Sequence, residues 1–103
     1  MIVIDTNIFI EVFRNNQEVI EFMASLDKND IAVSVITFSE LIYGARNKEE
    51  KRMIEKHISA LNILHVQNDI SIKFLELINN YSLSHKISIP DALIASTAIT
   101  TNS

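Results

Sequence analysis

The chain has 103 residues, about half of them apolar (48%), which favours one domain with a modest core. It contains no cysteine, so disulfides and thiolate zinc sites are excluded and a reducing compartment fits. A formal net charge of −4 lacks the basic footprint of nucleic-acid binders, so a polyanionic partner has to be met by a local patch or a bound cation.

The opening Met1-Ile2-Val3-Ile4-Asp5 meets an acid at once and carries no basic leader. No apolar run approaches membrane-spanning length, and a soluble cytoplasmic protein is expected. With one glycine (Gly44), one proline (Pro90) and no repeat or linker, residues 1–103 are expected to form a single unit. Ile2-Val3-Ile4 is a short β-branched run suited to a strand buried on both faces, and Asp5-Thr6-Asn7 ends it with cap-type residues. A short helix from about Ile8 to Arg14 follows. Asn15-Asn16 breaks it, and Val19, Ile20, Phe22, Met23 and Leu26 recur at helical spacing over about Gln17–Leu26. After a polar turn, Ile31–Val35 reads as a second strand.

Thr37-Phe38-Ser39-Glu40 fits a capping box with an apolar helix behind it. A charged helix is expected from about Lys48 to Leu61, a third strand over Asn62–Val66, and an amphipathic helix through Ile70, Phe74, Leu77, Ile78 and Tyr81. Ile87–Ile89 is extended or loop ahead of proline, and Pro90 suits the first turn of a last helix to about Thr100. Short apolar strands alternating with helices predict a parallel sheet covered on both faces, with ligands beyond the carboxyl ends of the strands.

Three acids stand out against that frame. Asp5 closes the first strand, Glu40 is expected in the first turn of the helix after the second, and Asp91 in the first turn of the last helix. In a parallel sheet these places share one edge, so carboxylates 35 and 51 residues apart can converge. Clustered carboxylates repel one another and favour a hard cation such as magnesium or manganese. Such a cation activates water and stabilises charge on a phosphate. Each acid also has a purely structural reading: Asp5 as an N-cap, Glu40 as the end of the capping box begun by Thr37, and Asp91 as a complement to the helix dipole.

Other features weigh less. Lys48, Arg52 and Lys56 share a helix face that touches RNA phosphates or is simply solvated, with Lys51 pairing Glu55. Arg14, just beyond Asp5, is better placed for a phosphate. His57, His65 and His85 show no metal-ligand spacing, and Ser39 lacks the glycines of a nucleophile elbow. Phe9, Phe13, Phe22, Phe38 and Phe74 are expected in the core.

The words around the three acids resemble the PIN domain family. Ile2-Val3-Ile4-Asp5-Thr6-Asn7 is similar to its opening motif, Ser34–Ala45 to its second, where a glutamate precedes Leu-x-x-Gly, and Ile87–Ser96 to its third, an Asp-Ala-Leu-Ile-Ala helix start. Within the family the likeness is to the VapC toxin of bacterial VapBC toxin–antitoxin pairs. That resemblance implies a three-layer α/β/α domain with a short parallel sheet and an endoribonuclease dependent on Mg²⁺ or Mn²⁺. It also implies inhibition by a small wrapping antitoxin, and homodimers. By the same resemblance Asp5, Glu40 and Asp91 become catalytic metal-site carboxylates. Thr6 and Asn7 become groups that orient Asp5 or water, and exposed aliphatic residues between Leu41 and Ile58 become an antitoxin groove.

The family pattern continues past its third motif with further strands and a fourth acid. Thr100 and Asn102 align with the end of the last helix, so the resemblance implies a chain lacking those C-terminal strands, with weaker metal binding and unpaired strand edges. The alternative expectation is a catalytically impaired scaffold that binds an antitoxin or dimerises. A response-regulator-like domain needs a lysine near a strand end beside a phosphorylatable aspartate, and none is evident.

Overall fold

The structure, a computed structural model, describes residues 1–101, so Asn102, which the sequence assigns to the end of the last helix, lies outside it. Elements run in the order β1 (Ile2–Val3), α1 (Thr6–Phe13), α2 (Gln17–Ala24), a 3-10 turn (Lys28–Asp30), β2 (Ile31–Ser34), α3 (Val35–Tyr43), α4 (Lys48–Ile58), β3 (Asn62–Leu64), α5 (Asn68–His85) and α6 (Ile89–Thr100). Both pairings are parallel with β2 in the middle, Ile2 opposite Ile31 and Val33 opposite Ile63. The Ile4 amide extends the first ladder by donating to the Ala32 carbonyl at 3.0 Å. Asn62 ties the start of β3 to β2 through its side-chain amide, which donates to the Asn29 and Ile31 carbonyls at 3.0 and 2.9 Å.

All four residues of β2 are buried. Side chains alternate along a strand, so Ile31 and Val33 face one side and Ala32 and Ser34 the other, and both faces are covered. Ile31 and Val33 join Ile4, Phe9, Leu41, Ile54 and Ile58 in one core cluster, which brings α1, α3 and α4 together. Burying each of its larger aliphatic side chains contributes about 1.5–3 kcal/mol. Ile70 and Ala92, from the mutually packed α5 and α6, are buried outside that cluster. The result is the expected α/β architecture with a short parallel sheet.

Helix starts depart from expectation because the caps lie earlier in the chain. Asp5 accepts the Ile8 amide at 3.1 Å, so α1 begins at Thr6 rather than Ile8. Ser34 accepts the Ile36 amide at 3.1 Å, so α3 begins at Val35, and Glu40 stands in its second turn instead of the first. Thr37 is therefore no cap. It is fully buried inside the helix, and its hydroxyl has no hydrogen-bond partner. Asn16 caps α2 through the Val19 amide, and Ser88 caps α6 through the Asp91 amide at 3.2 Å, with Pro90 in the first turn.

Other ends also move. α4 stops at Ile58 rather than Leu61 and β3 at Leu64 rather than Val66. α5 runs on to His85 and closes on Lys86 in a left-handed conformation (φ 46°). Phe22 is not core: it is 51% exposed, whereas Phe9 is buried and Phe13 and Phe38 pack against the core edge.

Candidate active site

Asp5 leaves the C-terminal end of β1 and caps α1. Its Oδ1 accepts the Ile8 amide, so the cap role uses one oxygen and leaves the other. Glu40 projects from α3, where its Oε1 accepts the Thr6 hydroxyl at 2.9 Å in a partly buried contact across 34 residues. Asp91 occupies the first turn of α6. Its amide is engaged by Ser88, while its carboxylate has no partner among the described residues.

All three acids line one hollow of about 340 Å³, together with Thr6, Asn7, Ile94 and Ala95. Among the described residues, no basic side chain lines it and none of the three acids is ion-paired. The N-termini of α1 and α6 both border the hollow, and the positive ends of their helix dipoles favour negative charge there.

The structure does not bring the acids into a closed ligand set: among the described residues, no three His, Cys, Asp or Glu side chains stand close enough to hold one ion together. The donors still suit a hard cation. Magnesium keeps several waters and needs only one or two carboxylates directly, the rest acting through water. Two of the carboxylates have a free oxygen after their protein contacts, and the third has both.

Thr6, expected to orient Asp5 or water, makes its hydrogen bond to another of the three acids. Its hydroxyl orients Glu40, not Asp5, because α1 begins at Thr6 and packs against α3. Asn7 borders the hollow. Arg14 does not reach it. Arg14 ends α1, pairs with Glu11 at 3.6 Å, and borders a second hollow of about 630 Å³ that shares Thr6 and Glu40 with the first.

That second hollow has an apolar floor of Ile10, Phe13, Leu41, Met53 and Ile54, with Arg14, Arg46 and Glu50 at its polar side. Arg46, which the sequence places beside the basic stripe of Lys48, Arg52 and Lys56, donates its Nε to Glu50 at 3.1 Å, and Glu50 is a site-bordering residue with no motif of its own. Their i, i+4 spacing was the visible signal. Lys51 and Glu55 form the expected pair at 3.7 Å on another side of α4.

A family model described as PIN domain matches residues 2–103. A toxin–antitoxin complex from Klebsiella pneumoniae contains a chain 27% identical, with TM-score 0.83, covering 99% of this chain and 81% of that one. VapBC2 from Rickettsia felis, bound to a DNA fragment from its promoter, is similar at 29% identity and TM-score 0.81, covering 98% and 81%. VapBC-1 from nontypeable Haemophilus influenzae is similar at 28% identity and TM-score 0.80, covering 97% and 80%. No curated protein matches the chain.

Proposed function

The chain belongs to the PIN domain family, a family of nucleases, and from that premise we propose that it is a metal-dependent endoribonuclease toxin held in check by an antitoxin. One observation carries the catalytic part: Asp5, Glu40 and Asp91 share a hollow at the strand ends with no protein cation to balance them. Mg²⁺ or Mn²⁺ is the proposed counter-charge, with these three carboxylates as its direct or water-mediated ligands. A bound divalent ion there supplies activation of water and stabilisation of charge on the scissile phosphate.

This chain's own residues do the rest. Thr6 holds Glu40 in one orientation. The positive dipole ends of α1 and α6 add fixed partial charge beside the phosphate. Arg14 and Arg46, both mostly exposed at the larger hollow, are placed to contact flanking phosphates of the RNA and offset the net charge of −4.

The same larger hollow suits an apolar segment of an antitoxin, as helix-in-groove recognition requires. An occupant there covers Glu40 and Thr6 and closes the site. The similar chains come from toxin–antitoxin complexes, which supports this partner. Self-association into a homodimer and action in the cytoplasm complete the reading; no helix among the described residues is long and apolar enough to cross a membrane.

The test is cleavage of a mixed RNA substrate with Mg²⁺ or Mn²⁺, with and without chelator, beside Asp5→Asn, Glu40→Gln and Asp91→Asn. Metal-dependent cleavage that all three substitutions suppress is expected. Cleavage unchanged in Asp5→Asn rejects the site, and no cleavage by the native chain favours the non-catalytic scaffold. Manganese titrated by calorimetry gives a readout independent of activity.

A further inference from the structure

We propose that Tyr43 is a stacking platform for one unpaired base of the RNA, beside the phosphate that the acidic hollow receives. This rests on the nuclease reading above and names one of its RNA contacts. Tyr43 closes α3 and is 94% exposed. Neither its ring nor its hydroxyl has a partner among the described residues. The other tyrosine, Tyr81, is 43% exposed and meets His85 edge-on, with ring centroids 5.4 Å apart. A single exposed ring is ordinary, so the place where Tyr43 stands is what gives it a use.

Residues three apart on a helix are neighbours, with Cβ atoms about 5–6 Å apart. Tyr43 therefore stands one turn beyond Glu40 on the same side of α3. Helix side chains lean toward the N-terminus, which here is toward the turn of Glu40. Glu40, one turn back, and Gly44, next in the chain, both line the larger hollow, and Glu40 lines the acidic one as well. The ring thus stands at the rim, about a nucleotide's length from a carboxylate of the site.

The surroundings favour a nucleobase over an apolar protein segment. Tyr43 does not line the larger hollow, so an apolar segment lying there leaves the ring uncovered. A docking helix needs a continuous apolar patch. From Ser39 to Asn47 the other exposed residues are Ser39, Gly44, Arg46 and Asn47, and none brings an apolar side chain. Cations stand close instead: Arg14 and Arg46 border the hollow with side chains 72% and 86% exposed. Guanidinium groups that follow a phosphate backbone, with a free aromatic face beside them, are the two parts of a single-strand binding surface. A loop or unpaired segment supplies a base with a free face, and the interior of a duplex withholds it.

The test is binding of a labelled pool of short random-sequence single-stranded RNA with Mg²⁺ present, every chain carrying Asp5→Asn so that the RNA stays intact. Tyr43→Leu keeps an apolar side chain without a ring and should weaken binding roughly 5- to 140-fold, while Tyr43→Phe stays near native. The chain has no tryptophan, so Tyr43→Trp places the only indole at this position, and its emission should be quenched as RNA is added. The side chain replaced is 94% exposed, so the fold should hold, which circular dichroism checks. Cleavage by the same variants with Asp5 intact separates this contact from the nuclease reading. A native chain that cuts RNA, with Tyr43→Leu binding and cutting equally well, overturns the stack and leaves the nuclease standing. A native chain that neither binds nor cuts RNA overturns both. A leucine variant that changes sedimentation but not RNA binding assigns the ring to a protein contact and overturns the proposal.

Discussion

Asp5 caps α1 and, under the proposed function, also serves a metal ion, and one substitution separates the two. As the cap of α1 it needs an oxygen that accepts the Ile8 amide, and asparagine supplies one as well as aspartate does. As a metal-site group it needs charge, which asparagine lacks. Asp5→Asn is therefore expected to leave urea stability within about 0.5 kcal/mol of native while cleavage falls steeply; a parallel loss of both assigns Asp5 to the fold alone. Thr6 offers a gentler version of the same separation. Its hydroxyl donates to Glu40 Oε1, so Thr6→Val frees that carboxylate, whereas Thr6→Ser keeps the donor. A loss of about 10–100-fold in manganese affinity or cleavage is expected for valine, with serine restoring most of it, and equal behaviour of the two variants contradicts the orienting contact. Gly44 is a contrasting case. Its φ is −81°, and an added Cβ would approach the Glu40 carbonyl to only 3.4 Å, an ordinary contact. Gly44→Ala is thus expected to raise stability by about 0.4–1 kcal/mol by restricting the unfolded chain, as denaturation midpoints would show.

Among the elements, the caps decide where the candidate site falls. Ser34 ends β2 and caps α3, and this places Glu40 in the second turn of the helix beside Thr6. The sequence expectation chose Thr37 as cap because Thr-x-x-Glu is a good capping signature, but Ser34 lies one turn earlier and is compatible with the same register. Local patterns cannot rank two such signals; burial of Thr37 against the rest of the fold does. The existence and order of strands and helices were readable because their apolar periods are strong, as in Ile31–Ser34 and the α5 face through Ile70 and Tyr81. The lengths of β3 and α4 were not, because their ends are set by packing rather than by a breaker residue. Likewise the Thr6–Glu40 contact spans 34 residues and has no local signature. Ser88→Ala tests the cap argument at α6: removing the acceptor for the Asp91 amide should cost about 0.5–2 kcal/mol. If stability in that variant is unchanged, the cap does not define the helix start near Asp91.

For the molecule as a whole, the balance of charge predicts how stability should respond to metal. Three carboxylates line one hollow with no cation among the described residues beside them, in a chain already at −4. An ion that binds the folded state there stabilises it by mass action, by about 1.4 kcal/mol at ten times its dissociation constant. For a domain of this size that corresponds to a rise in Tm on the order of 6–11 °C. Glu40→Gln removes one of the charges, while its side-chain carbonyl still accepts the Thr6 hydroxyl. Without metal, relief of repulsion should leave this variant at least as stable as the native chain. With manganese present, the native chain should gain and the variant should gain little. The order of the two melting temperatures therefore inverts as metal is added, and chelator should restore the original order. A native chain whose melting temperature is indifferent to manganese, or a variant that gains as much, would show that the acidic hollow is not where the ion acts. Repulsion alone, or a cap function alone, predicts no such inversion, so thermal melts in the two conditions separate a metal centre from a solvated cluster of acids without any assay of cleavage.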